Sequence, residues 1–188
     1  PGVVIEWNRV VILWLYELLL SSFPMCITRL KSLTSLNLED NFLTELPDSL
    51  VRLKSLTSLE LGKNRLKTLP GSISQLPSLI NLDLVSNKLQ SLPDSIGQLS
   101  SLKFLNLGGN ELKSIPKTIG QLVSLTNLDV GYNKLTKLPD SICRLISLKY
   151  LYLSNNKLKS LPESIGRLKG LIDLDTGYNK LKSLPESI

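Results

Sequence analysis

The chain has 188 residues, of which 42% are hydrophobic and only 5% aromatic, and it carries a net charge of +6. It contains no histidine, which removes the most common general base and zinc ligand, and neither a G-x-x-x-x-G-K nor a G-x-S-x-G motif occurs. These features disfavour an enzyme, and we expect neither a cofactor nor a metal site in this chain.

Residues 1–30 contain an apolar run, VVILWLYELLL, from Val10 to Leu20. The run is too short to span a membrane and Glu17 interrupts it, so we expect no membrane span; a targeting segment is the alternative. The apolar positions and Pro24 of this segment recur 23 residues later, in the regular part of the chain. By the same shift, the opening residues PGVVIEW match the pattern P-x-x-I-x-x-L. We therefore expect residues 1–30 to form degenerate repeats.

Residues 31–188 repeat one pattern every 23 residues. Each unit opens with L-x-x-L-x-L, an asparagine follows three positions later, and a proline follows six residues after the asparagine. Self-similarity at a fixed period of this length indicates a solenoid, in which each unit buries its apolar edge against its neighbours. The asparagines are Asn41, Asn64, Asn87, Asn110, Asn133, Asn156 and Asn179.

Strand geometry assigns a side to each position of the unit. The fourth and sixth residues point to one side, which is the core, while the third and fifth point to the other. The asparagine comes where the strand turns over, and its amide can satisfy backbone groups that the turn leaves unpaired. We therefore expect the seven asparagines to form a structural ladder. Leu18 occupies the asparagine position of the first unit, where we expect a looser or differently bonded turn.

The complete unit, L-x-x-L-x-L-x-x-N-x-L-x-x-L-P-x-x-I-x-x-L, resembles the leucine-rich repeat in its 23-residue L-P-x-x-I class. It is similar to intracellular Ras-group proteins, their plant relatives and bacterial leucine-rich repeat proteins. The resemblance implies an α/β solenoid: an arc with a parallel β-sheet on the concave face and short turns, 3-10 or helical segments on the convex face. One such domain would cover residues 1–188. Because neither end shows a polar cap and no initiating Met is present, we expect a fragment of a longer protein.

Three apolar residues of the first unit, Ile12, Trp14 and Tyr16, stand at outward strand positions that are polar in most later units. Exposed apolar patches of this kind are usually covered. We expect further chain or a second copy to pack there. Self-association through this patch or through uncapped ends is therefore a second kind of contact to consider.

Basic residues gather one and three places after the asparagines: Arg65, Lys67, Lys88, Lys113, Lys134, Lys157, Lys159, Lys180 and Lys182. The simplest interpretation is a solvated edge that keeps the protein in solution. No recognition motif or interleaved aromatic accompanies these residues, so we expect no nucleic-acid binding.

The two cysteines, Cys26 and Cys143, lie five units apart, on the order of 24 Å at about 4.8 Å per strand step. That separation is too long for a disulfide. No N-x-S/T glycosylation motif is present either. Together these observations favour a cytoplasmic location, with a secreted bacterial protein as the alternative.

The outward strand positions change from unit to unit, while the scaffold positions hardly change. Aromatic residues gather among acids towards the C-terminal half, which predicts a hot spot for a basic or amphipathic protein segment. Asp173 and Asp175 are also the sharpest catalytic candidate, but nothing in the pattern excludes water from them. The predicted partner-binding residues are Phe104, Asn127, Asp129, Tyr150, Tyr152, Asp173 and Asp175.

These patterns predict a protein–protein interaction module that binds a partner protein through its concave face. The resemblance to Ras-group proteins implies a signalling scaffold as one version. The alternatives are a sensor or targeting array of a larger enzyme and a bacterial factor that binds host or envelope proteins.

Overall fold

Seven successive units of the chain run through a short strand, a turn and a five-residue 3-10 helix, and the computed structural model describes all 188 residues. The nine strands are β1 (Gly2–Glu6), β2 (Arg9–Trp14), β3 (Ser35–Asn37), β4 (Ser58–Glu60), β5 (Asn81–Asp83), β6 (Phe104–Asn106), β7 (Asn127–Asp129), β8 (Tyr150–Tyr152) and β9 (Asp173–Asp175). The 3-10 helices span Met25–Arg29, Asp48–Arg52, Gly71–Gln75, Asp94–Gln98, Lys117–Gln121, Asp140–Arg144 and Glu163–Arg167.

The strands form one open sheet in sequence order, from β1 to β9. From β2 onwards all neighbours are parallel, and each residue pairs with the residue 23 positions later, as Leu128 does with Leu151. This register places equivalent residues of successive units in columns. The predicted solenoid, with a parallel sheet on one face and short return segments on the other, is confirmed.

The core is built almost entirely from leucine. The middle residue of each internal strand and the leucine or valine two positions later are buried, as are the isoleucines of the 3-10 helices. A single cluster of 45 buried apolar residues runs from Phe23 to Leu168. No α-helix forms, because each return segment is only long enough for i→i+3 hydrogen bonds such as that from the Ile73 N–H to the Pro70 carbonyl (3.1 Å).

Adjacent 3-10 helices approach closely on the convex side. A Cβ added to Gly120 would stand 2.3 Å from the carbonyl oxygen of Ser141 in the next unit, and Gly97 meets the Thr118 carbonyl at the same distance. Only a residue without a side chain fits there without a shift of the backbone. The stacking of units is therefore limited by backbone contact at these glycines.

The first nine residues depart from the repeat. β1 pairs with β2 in antiparallel orientation, through a turn at Trp7 and Asn8, which both have positive φ. The interpretation of PGVVIEW as a return segment is therefore wrong. The β-branched run Val3–Ile5 favours a strand, and the two left-handed residues make a tight hairpin whose twist matches that strand pair. β1 also covers the edge of β2, so that edge is not open as we expected. Residues 10–30 follow the repeat frame, since Leu13 pairs with Leu36.

The last unit is less covered than the internal ones. Leu171, Leu174 and Leu181 are only partly buried, whereas their counterparts one unit earlier, Leu148, Leu151 and Leu158, are fully buried. Thr176, at the sixth position of this unit, is likewise half-buried beside the open end. No helix of the structure is long and apolar enough to cross a membrane.

Candidate functional site

Each ladder asparagine ties its own turn to the preceding unit. The Nδ2 of Asn110 donates to the carbonyls of Leu84 (2.9 Å), Leu107 (3.0 Å) and Gly108 (3.3 Å), and its Oδ1 accepts from the Leu89 N–H (2.9 Å). The side chain is only 7% exposed. One amide thus satisfies four backbone groups, two of them in the neighbouring unit, where water does not reach.

The first turn has Leu18 at the position that an asparagine occupies in the later units. Asn41 of the next unit accepts from the N–H groups of Leu18 (3.1 Å) and Leu20 (2.9 Å) and donates to the Leu15 carbonyl (2.8 Å). The turn is therefore bonded from one side only. The same pattern recurs through the other ladder residues, Asn64, Asn87, Asn133, Asn156 and Asn179.

The outward positions of the sheet form two parallel columns of side chains. In the third-position column, Phe104, Asn127, Tyr150 and Asp173 follow one another across β6 to β9. In the fifth-position column, the order is Asn106, Asp129, Tyr152 and Asp175. The seven residues predicted to bind a partner thus lie in one contiguous block of four strands. Asn106 completes the block and is missing from the prediction.

Large side chains project from this block. Phe104 is 44% exposed, while Tyr150 and Tyr152 are half-buried against their strand neighbours. Directly paired residues on adjacent strands have Cβ atoms roughly 5 Å apart, so each tyrosine lies beside a polar residue on both neighbouring strands. The block combines aromatic rings on a rigid sheet with carboxylates and amides. We name these outward residues of β6 to β9 the sheet-face block.

The fifth position of each unit also has a structural use within that unit. The Oδ1 of Asp129 accepts the N–H of Gly131 (2.8 Å), and the Oδ1 of Asp175 accepts that of Gly177 (2.9 Å). Asn37, Asp83 and Asn106 make the same bond to the residue two places on. A short Asp or Asn side chain closes the turn in this way. The recurrence of Asp or Asn at this position in five units is the sequence signal that would have shown it.

The acidic column extends beyond the predicted site. Glu60 and Asp83 occupy the fifth position in β4 and β5. Partial burial raises the pKa of Asp83, and partial burial together with the charges of Asp83 and Glu39 raises the pKa of Glu60. Partial burial, followed by the charges of Asp83 and Asp175, also raises the pKa of Asp129. Burial and the neighbouring carboxylates of this column therefore both make the charged forms of Glu60 and Asp129 less favourable than in water.

Tyr152 stands within this acidic column. Partial burial and the neighbouring Asp173 carboxylate raise the pKa of its hydroxyl, so Tyr152 remains a neutral hydrogen-bond donor over a wide pH range. A neutral hydroxyl on a flat ring can bond a partner and cover apolar surface at once. Tyr152 therefore presents a hydrogen-bonding group and an apolar ring on the same surface.

The N-terminal part of the sheet face is different, because its polar side chains bond one another. Asn37 donates to the Glu60 carboxylate, and Asn81 donates to the Ser58 hydroxyl (3.1 Å). The apolar residues of the first unit are also partly covered: Ile12 and Trp14 are half-buried, and Gly2 of β1 lies against the Trp14 ring, so that a Cβ added there would stand 3.1 Å from it. Tyr16 remains 41% exposed.

Comparisons with known proteins agree with this architecture. The family model described as "Leucine rich repeat" matches residues 31–89, 78–135 and 123–181. No curated protein matches the chain. Among solved structures, a leucine-rich repeat protein of Leptospira interrogans is 42% identical, with a TM-score of 0.87 over 90% of this chain and 43% of its own.

Two further structures are similar at lower identity. The ectodomain of the Arabidopsis thaliana membrane receptor kinase GASSHO1/SCHENGEN3, solved in complex with CASPARIAN STRIP INTEGRITY FACTOR 2, is 28% identical with a TM-score of 0.83 over 100% of this chain and 27% of its own. An internalin of Listeria monocytogenes, at 24% identity and a TM-score of 0.70 over 81% of this chain and 44% of its own, shares the fold. The chain spans less than half the length of each of these proteins. With three family matches covering residues 31–181, the chain belongs to the leucine-rich repeat family.

Proposed function

We propose that this chain is a protein-interaction module whose partner binds the sheet-face block. The observation that carries the proposal is the register of β6 to β9, which brings Phe104, Tyr150 and Tyr152 together in one area. Tyrosines and phenylalanines that are held by a rigid sheet lose little entropy on binding, and such residues dominate the energy of protein interfaces.

The charges around these rings define the partner. Asp129, Asp173 and Asp175 surround the tyrosines, and the acidic column continues towards β4. A basic or amphipathic protein segment complements this surface: its cations meet the carboxylates and its apolar side chains cover the rings. Leucine-rich repeat proteins commonly mediate protein–protein contacts, and the structure of the GASSHO1/SCHENGEN3 ectodomain contains such a second component.

The wider setting of the module is part of the same proposal. We assign it the role of a signalling scaffold, and the two free thiols, Cys26 and Cys143, agree with a cytoplasmic setting. A second candidate is a bacterial factor that contacts host or envelope proteins. The 42% identity to the Leptospira interrogans protein favours a bacterial setting for this version.

A position-specific crosslinking experiment tests the site. A photoreactive amino acid replaces Tyr150 on the sheet face or, as the control, Ile146, which is 71% exposed between a 3-10 helix and the next strand. Both variants are expressed in the native cells. The proposal requires a protein that crosslinks from position 150 and not from position 146. A protein captured equally from both positions, or only from 146, contradicts it.

A further inference from the structure

A second surface of the molecule, separate from the sheet-face block, holds nine of the 22 basic residues and only one of the 16 acidic ones. It consists of the outward residues one and three places after each ladder asparagine. We name it the lysine ribbon, and its cations are Arg65, Lys67, Lys88, Lys113, Lys134, Lys157, Lys159, Lys180 and Lys182.

Backbone geometry makes these residues one surface. The two positions flank a buried leucine, such as Leu158 between Lys157 and Lys159, so both side chains point outwards. The Lys157 N–H donates to the Leu135 carbonyl (2.8 Å), and Lys180 repeats this bond to Leu158 (2.8 Å), which fixes the spacing between units. At about 4.8 Å per unit, the six units from Arg65 to Lys182 extend over roughly 24 Å.

The ribbon is not neutralised by its own protein. All nine cations are exposed, and the one ion pair among them joins Lys134 to Glu111 (2.8 Å). Arg65 stacks on the Phe42 ring at 4.2 Å. The ribbon positions hold nine of the 22 basic groups but only one of the 16 acidic groups, so the remaining 13 basic and 15 acidic groups leave the rest of the molecule slightly negative. Unpaired charges of one sign in a row create a potential that attracts a long counter-charged ligand.

We propose that the lysine ribbon binds an extended acidic polysaccharide, whose carboxylate or sulfate groups lie along the row of lysines. One sugar ring of an extended chain advances by about the spacing between neighbouring units, so the anionic groups on one side of the chain can follow the row of lysines. Phosphates along one strand of duplex DNA advance by about 3.4 Å along the helix axis and wind around it, so they do not follow a straight row of lysines. The two ribbon positions contain one aromatic residue, Phe42, and Arg65 covers it, so bases find no stacking platform there.

The test compares two variants of equal net charge. The ribbon variant carries K157Q, K159Q, K180Q and K182Q. The control variant removes four exposed cations from the same C-terminal part of the array but off the ribbon, at the ends of the last two 3-10 helices or shortly after them: R144Q, K149Q, R167Q and K169Q. Thermal unfolding of both variants should match the parent, because none of these side chains makes a hydrogen bond or ion pair within the chain. Glutamine removes the charge and keeps a polar, uncharged side chain at each position.

Affinity is measured with three probes: a size-defined heparin dodecasaccharide, a single-stranded oligothymidylate of equal charge, and phosphatidylserine vesicles. We expect heparin to bind the parent most tightly, the ribbon variant to lose affinity about tenfold or more with a shallower salt dependence, and the control to stay within about twofold. Equal loss in both variants means that net charge alone attracts the probe, and overturns the proposal. Tighter binding of oligothymidylate or vesicles, or no heparin binding by the parent, overturns it as well.

Discussion

The asparagine ladder and the sheet-face block lie on the same repeat units, but the residue type is constant in the ladder and variable in the block. Asn133 and Asp129 stand four residues apart, yet the first is an asparagine in all seven regular units, whereas the outward columns change at almost every step. The hydrogen bonds explain the difference. Asn133 donates to the Leu107 carbonyl of the preceding unit, whereas the side chains of Tyr150 and Tyr152 make no hydrogen bond on which the stacking of units depends. Constancy within this chain therefore reflects stacking, and variation marks positions that stacking does not fix.

The largest expected effect comes from breaking the ladder in the middle of the array. Asn110→Leu removes four hydrogen bonds and leaves buried backbone groups without partners, so the free energy of unfolding should fall by at least about 3 kcal/mol. Asn179→Leu is the matched control. It removes the same set of bonds, but at the half-buried open end, where water can replace them.

Urea unfolding followed by circular dichroism measures both variants of the ladder. We expect a clearly smaller loss of stability for Asn179→Leu than for Asn110→Leu. Equal losses would show that the cost does not come from orphaned buried groups.

A smaller effect is expected at the glycines of the convex side. Gly120→Ala would place a Cβ 2.3 Å from the Ser141 carbonyl, so the backbone must shift and stability should fall by about 2 kcal/mol. At Gly71 the nearest atom to an added Cβ is the Ser95 hydroxyl at 3.7 Å, and Gly71→Ala should be neutral or stabilise by up to about 1 kcal/mol through the unfolded state. Melting temperatures that move in the same direction in both variants would contradict this assignment.

The smallest expected effect concerns the contribution of one carboxylate of the sheet-face block to stability. Asp129→Asn keeps an oxygen for the Gly131 N–H, as Asn37 and Asn106 do in their units, but it removes a half-buried charge. The raised pKa of Asp129 means that the folded protein holds the proton more tightly than the unfolded chain. This group therefore lowers stability as the pH rises through its folded pKa, and below its unfolded pKa the penalty disappears.

We accordingly expect Asp129→Asn to be slightly more stable than the parent at pH 7, by less than about 1 kcal/mol because solvent screens a half-exposed carboxylate. The two proteins should become equal at about pH 3, below the usual pKa of an aspartate. Thermal unfolding across this pH range provides the measurement. A variant that is less stable at pH 7 would show that the charge itself, and not the acceptor oxygen, holds the turn.

The repeat could be predicted in detail because each unit repeats the same packing problem. Leu128 is required by burial in the core, Pro139 by the start of the 3-10 helix, and Asn133 by the backbone groups of the turn. Each requirement recurs in every regular unit and therefore produces a periodic sequence pattern. The hairpin at β1 follows no such period, so its pairing with β2 could not be read from the repeat frame. The turn bond of Asp129 was missed for another reason: Asp and Asn also suit an exposed surface, which hides their structural use.

The affinity of the crosslinked partner for two aromatic variants shows whether that partner binds at the sheet-face block. Tyr152→Ala removes an anchor from the sheet-face block, whereas Phe42→Ala removes an aromatic ring beside the lysine ribbon. We expect Tyr152→Ala to lower the affinity for the partner by at least about tenfold, mainly through faster dissociation, while the stability of the fold is unchanged. We expect Phe42→Ala to change the affinity by less than about twofold. If Tyr152→Ala binds as tightly as the parent, or if Phe42→Ala weakens binding by the same factor, the partner does not bind at the sheet-face block.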